Sequence, residues 1–132
     1  MTRHAKGTFE VRLTPQKADN DVAQAANFGR YSIDKQFHGD LEGTSKGEMI
    51  GAQTETKGSA GYVAMERVTG KLNGRSGSFI LQHSGTMKGG AFELSVTVVL
   101  DSSTGELKGI TGKMNIIITA GKHFYEFDYT LP

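Results

Sequence analysis

At 132 residues with 36% hydrophobic side chains, the chain can bury one core but not two, so residues 1–132 read as a single domain. Fifteen Lys and Arg against 14 Asp and Glu leave a net charge of +1, and no segment gathers the basic residues, which argues against a nucleic-acid partner. With no Cys there is no disulfide framework, thiolate nucleophile or Cys-based zinc site; no apolar run nears the roughly 20 residues of a spanning helix and MTRHAKGTFEVRL lacks a signal-peptide core, so we expect a cytoplasmic protein without membrane association.

Strand-like alternation begins at Thr8–Leu13, with Phe9, Val11 and Leu13 on the inner face. Pro15–Asn27 reads as a long loop, in which VAQAANF (Val22–Phe28) holds at most a turn of helix; a loop of that length is expected to cross an end of the domain. Tyr31–Gly51 then alternates without a phase slip. Ile33, Lys35, Phe37, Gly39, Leu41, Gly43, Ser45, Gly47 and Met49 form an apolar or small inner set, and the intervening polar residues face solvent. The unbroken phase fits either an odd-length turn at His38–Asp40 or one long strand bent at its glycines, and the turn is the favoured reading.

Ser59–Val68 places Tyr62, Ala64 and Glu66 inward, and Ser76–Ser84 does so for Phe79, Leu81 and His83. Ala91–Leu100 (Phe92, Leu94, Val96, Val98), Gly109–Thr119 (Met114, Ile116, Ile118) and Lys122–Leu131 (Tyr125, Phe127, Tyr129) complete eight strands. Asn73-Gly74, Gly89-Gly90, DSSTG (Asp101–Gly105) and Ala120-Gly121 supply turns at hairpin spacing. Glycine, 18 of 132 residues against a usual share of about 7%, recurs inside these segments, where only a bend or a close approach repays its cost. An even number of short antiparallel strands with inner glycines predicts an all-β protein: an eight-stranded antiparallel closed barrel, with the first strand beside the last.

The unusual feature is AMERVTGKLNGRSGSFILQHS. A two-residue Asn73-Gly74 loop pairs Leu72 with Arg75, Val68 with Phe79, Glu66 with Leu81 and Ala64 with His83. Glu66 and His83 are then diagonal neighbours on the face that carries Phe79 and Leu81, within reach of each other or of one bridging water. Three roles are open to the couple: a structural polar pair, a group that orients a ligand, or acid–base catalysis. Lys35 is the third inward ionisable residue, able either to lay its stem on the wall or to anchor a carboxylate. Tyr62, Phe79, Leu81, Tyr125, Phe127 and Tyr129 supply apolar walls and phenols for a ligand, or core filling. The four His residues lack metal-ligand spacing, and neither a metal nor a cofactor is expected. GKLNGRSGS lacks the order of a phosphate loop, and no nucleophile elbow surrounds Ser76, Ser78 or Ser84.

Taken together, KQFHGDLEGTSKGEM, GYVAMERVTGKLNGRSGSFILQHSG, STGELKGITGK and HFYEFDYTLP resemble an uncharacterised bacterial family known only as a domain of unknown function (number 3224), over about Phe9 to Leu131. Members of that family look like the allene oxide cyclase barrel, so the resemblance implies a lipocalin-like, eight-stranded antiparallel shape. Allene oxide cyclase closes a fatty-acid epoxide in an apolar cavity, but its catalytic residues have no counterpart in this chain, and shared architecture alone does not transfer an activity. Three classes of function follow: a barrel that binds a small hydrophobic or amphipathic molecule, an isomerase or cyclase with Glu66 and His83 as acid and base, and a filled barrel acting through its surface. Val99 and Ile117, read as outward, point to a homo-oligomer.

Overall fold

In the computed structural model, which describes residues 1–132, the alternating segments become strands β1 (Arg3–Gln16), β2 (Gly29–Gly39), β3 (Leu41–Gln53), β4 (Ala60–Leu72), β5 (Arg75–Lys88), β6 (Ala91–Val98), β7 (Thr104–Gly105), β8 (Thr111–Thr119) and β9 (Lys122–Thr130). Helix α1 (Asp21–Ala26) is the one helical element; Asn20 caps it, accepting from the Ala23 N–H, and none of its residues is buried. No helix is long and apolar enough to cross a membrane. Eight strands pair antiparallel in the closed order β1-β2-β3-β4-β5-β6-β8-β9, and β9 returns to β1. The two-residue β7 continues the place of β6 beside the first part of β5, with Gly77 opposite Gly105.

Turn chemistry sets the registers. Asn73 (φ 48°) and Gly74 (φ 85°) form a two-residue left-handed turn, so Glu66 stands opposite Leu81 and Ala64 opposite His83. The odd-length turn between β2 and β3 is centred on Asp40 and keeps Phe37 opposite Gly43. The inner glycines serve close strand approach. A Cβ on Gly47 would lie 2.0 Å from the Met65 carbonyl oxygen and 2.7 Å from the Glu66 Cα.

Several boundaries differ from the sequence reading, two of them with consequences for the packing, and Ile118, expected inward, is exposed. The first strand starts at Arg3, not Thr8, and it is Arg3–Phe9 that pairs with β9, because Ala5 and Gly7 are inward but too small to register as an apolar alternation. The connection after β6 is more than a turn: Leu107 and Ile110, both buried, fold under the barrel and close that end.

Packing divides the interior in two. At the closed end Phe37, Leu41, Val68, Leu72, Phe79, Leu81, Phe127 and Tyr129 form a continuous apolar core. Phe79 stacks on Phe127 at 5.6 Å and Phe127 on Tyr129 at 5.3 Å. The Tyr125 hydroxyl accepts from the Leu41 N–H (2.9 Å) and donates to the His38 carbonyl (3.0 Å), tying β9 to the β2–β3 turn. Burial pushes its pKa up to about 12, opposed by the Leu41 hydrogen bond and reinforced by Asp40 and Glu42. At the other end the strands enclose space.

Candidate functional site

That space is a cavity of about 670 Å³. Its wall comes from the end of β1 (Leu13), the start of β2 (Gly29, Tyr31), the end of β3 (Met49, Gly51, Ala52, Gln53), the start of β4 (Ala60 to Tyr62), the end of β5 (Gly85 to Met87) and the start of β6 (Phe92), all at one end of the barrel. No charged side chain lines it. From the segment between β1 and β2, only Asn27 reaches the wall, so α1 flanks the mouth without covering it. Gly85 makes room for the Tyr62 ring: a Cβ there would sit 2.3 Å from Tyr62 Cε1.

Beneath the cavity lies a buried polar cluster. Strand period places Ala64 and Glu66 successively deeper than Tyr62 on β4, and His83 deeper than Gly85 on β5. Glu66 is 1% exposed and its carboxylate accepts three hydrogen bonds: Lys35 Nζ to Oε2 at 2.8 Å, His83 Nε2 to Oε2 at 2.5 Å and the Ser45 hydroxyl to Oε1 at 2.7 Å. Lys35, itself 6% exposed, lies 4.6 Å from the Phe9 ring centroid, a cation–π contact that helps hold a desolvated ammonium. No buried side-chain polar atom is left without a partner. Burial alone would raise the Glu66 pKa, but the His83 hydrogen bond, the charges of Lys35 and of a protonated His83, and the Lys35 hydrogen bond outweigh it and hold the carboxyl at about 2.

Because Glu66 is ionised, the hydrogen in the His83–Glu66 bond belongs to Nε2, and the opposite nitrogen is an acceptor whenever the ring is neutral. That Nδ1 lies 3.3 Å from the Tyr62 hydroxyl. Burial, with a further contribution from the Glu66 charge, pushes the Tyr62 phenol up to about 12, so it stays protonated at neutral pH. The result is a line from Glu66 through His83 to Tyr62, whose far end alone borders the cavity.

The residues expected to meet a ligand therefore separate. Tyr62 lines the cavity; Lys35, Glu66 and His83 form the layer beneath it. Phe79, Leu81, Tyr125, Phe127 and Tyr129 are buried and absent from the cavity wall, four of them in the packed core of the closed end and Tyr125 tied into the turn beside it. Sequence reasoning did not single out Ser45, which completes the carboxylate's partners, or Gly85. A small inward residue opposite an inward charge was the available signal, since Ser45 pairs with Lys35 on β2 and Gly47 with Glu66 on β4.

A half-packed, half-open closed barrel with a buried ionic cluster between the halves is the class that the fold and site define. The chain belongs to the family described as protein of unknown function (DUF3224), whose model matches residues 5–129. It is similar to the crystal structure of a protein of unknown function from that family in Shewanella oneidensis MR-1, with 48% sequence identity and a TM-score of 0.92 over 100% of this chain and 98% of that one. No curated protein matches.

Proposed function

We propose that the protein binds a small hydrophobic or amphipathic molecule in the open half of its barrel. The observation that carries this reading is the cavity of about 670 Å³, a volume within the usual range for small-molecule sites, with mainly apolar walls and the phenols of Tyr31 and Tyr62 in its lining. A filled barrel would leave no such space. Use of Glu66 and His83 directly as acid and base is less well supported, because the carboxylate is ionised, has both oxygens occupied and does not border the cavity. The setting proposed is a cytoplasmic homo-oligomer. Ile117 is outward as expected, whereas Val99 is partly buried; Ile50, Val63 and Met65 add an exposed apolar set on the outer face of β3 and β4. Cell fractionation and light scattering test those two statements.

Mass spectrometry of molecules retained through gentle purification, with displacement of a fluorescent apolar probe, tests binding itself. Ala60→Trp fills the cavity from an inward position of β4 and is expected to abolish retention and weaken probe binding at least about tenfold. Equal retention by the Ala60→Trp variant and wild type overturns the reading.

A further inference from the structure

We propose that the cavity takes a carboxylate-headed amphiphile together with one proton, which His83 holds while Tyr62 turns its hydroxyl hydrogen to the ligand. This rests on the cavity being a binding site. Lys35 and Glu66 cancel each other at 2.8 Å, and none of the residues lining the cavity can supply a cation. A carboxylate placed against Tyr62 would thus be a partly desolvated anion without a cationic partner, which is unfavourable.

His83 is the group in position to answer it. In the neutral ring Nε2–H donates to Glu66, and Nδ1 accepts from Tyr62. One proton from solution on Nδ1 reverses the second contact: Nδ1–H donates to the phenol oxygen, and the phenol hydrogen is released to a ligand oxygen. No covalent bond other than the new N–H changes, and the imidazolium lies against an ionised carboxylate. The groups around His83 agree with this role. β4 presents Glu66 and Tyr62, β2 presents Lys35 through their shared carboxylate oxygen, and β6 presents Val96 directly opposite His83. A hydroxyl-headed amphiphile has no such need, because its hydrogen can be donated to the Tyr62 oxygen while His83 stays neutral.

Isothermal titration of decanoate and of decanol at pH 8, in phosphate and in Tris, reads the proton directly from the dependence of heat on buffer ionisation. We expect about one proton taken up per decanoate and none per decanol. His83→Gln should remove the uptake and weaken decanoate at least about tenfold, with decanol changed far less. Tyr62→Phe, which keeps the ring over Gly85, should weaken decanoate similarly. Decanoate binding without uptake overturns the proposal and leaves the cavity reading standing. Uptake that persists in a folded His83→Gln variant also overturns it, since the proton then rides on the ligand's own carboxyl. If neither amphiphile nor the apolar probe binds wild type, both readings fall.

Discussion

Replacing Glu66 by Gln keeps the shape of the side chain and removes its charge, leaving the ammonium of Lys35 buried above Phe9 with no counter-ion. Two routes give the magnitude. A carboxyl held at about 2 against an ordinary 4.5 contributes about 3 kcal/mol at neutral pH. Breaking a buried ion pair by removing one partner costs about 3–5 kcal/mol, because the remaining charge is uncompensated. Urea denaturation followed by circular dichroism at pH 7 should therefore register a loss of about 3–5 kcal/mol for Glu66→Gln. In the double variant Lys35→Met with Glu66→Gln the orphaned charge is gone, and most of the loss should be recovered. The sign with pH follows from the depressed pKa. The Glu66 contribution is fully present above the unfolded carboxyl's 4.5 and is lost as pH falls through the folded value of about 2, so the difference between wild type and Glu66→Gln should shrink over that window. A cost below about 1 kcal/mol at pH 7, or additive effects of the two substitutions, would refute the reasoning.

Gly85→Ala drives a methyl to within 2.3 Å of Tyr62 Cε1, so the ring should swing away with the barrel intact; near-ultraviolet circular dichroism should change while the far-ultraviolet spectrum does not. Gly47→Ala meets backbone, the Met65 carbonyl oxygen at 2.0 Å, so β3 and β4 must separate, and thermal unfolding should record a large loss of stability or no folded protein. Tyr125→Phe leaves the Leu41 N–H and the His38 carbonyl without their hydroxyl partner and should cost about 1–3 kcal/mol in a denaturant titration, with binding at the opposite end unchanged.

Much of the architecture was legible in the order of residues because a strand's side-chain period is two and a tight turn admits few residue types. Asn73-Gly74 needs left-handed backbone at both positions, so it determined the pairing of β4 with β5 and, with it, that Glu66 and His83 share the inner face. The unbroken alternation of Tyr31–Gly51 narrowed the choice to an odd turn or a bent strand, and the pairing of β2 with β3 shows the turn, at Asp40. These are local relations, written within a single hairpin. Tertiary structure alone decided which inward residues meet open space. Phe79 and Tyr62 are equally inward by period, yet one is sealed by Phe127, from a strand far along the chain, and the other borders the cavity. Leu107 and Ile110 close one end from a segment whose glycine and serine residues spelled only a turn. The partnership of Lys35, Ser45, Glu66 and His83 likewise joins four strands, and its donors converge on one carboxylate only when the sheet curls. Period and turn chemistry specify a strand's faces and its nearest neighbour; the depth of a side chain in a closed barrel depends on stagger and on what plugs each end, and no local segment carries either.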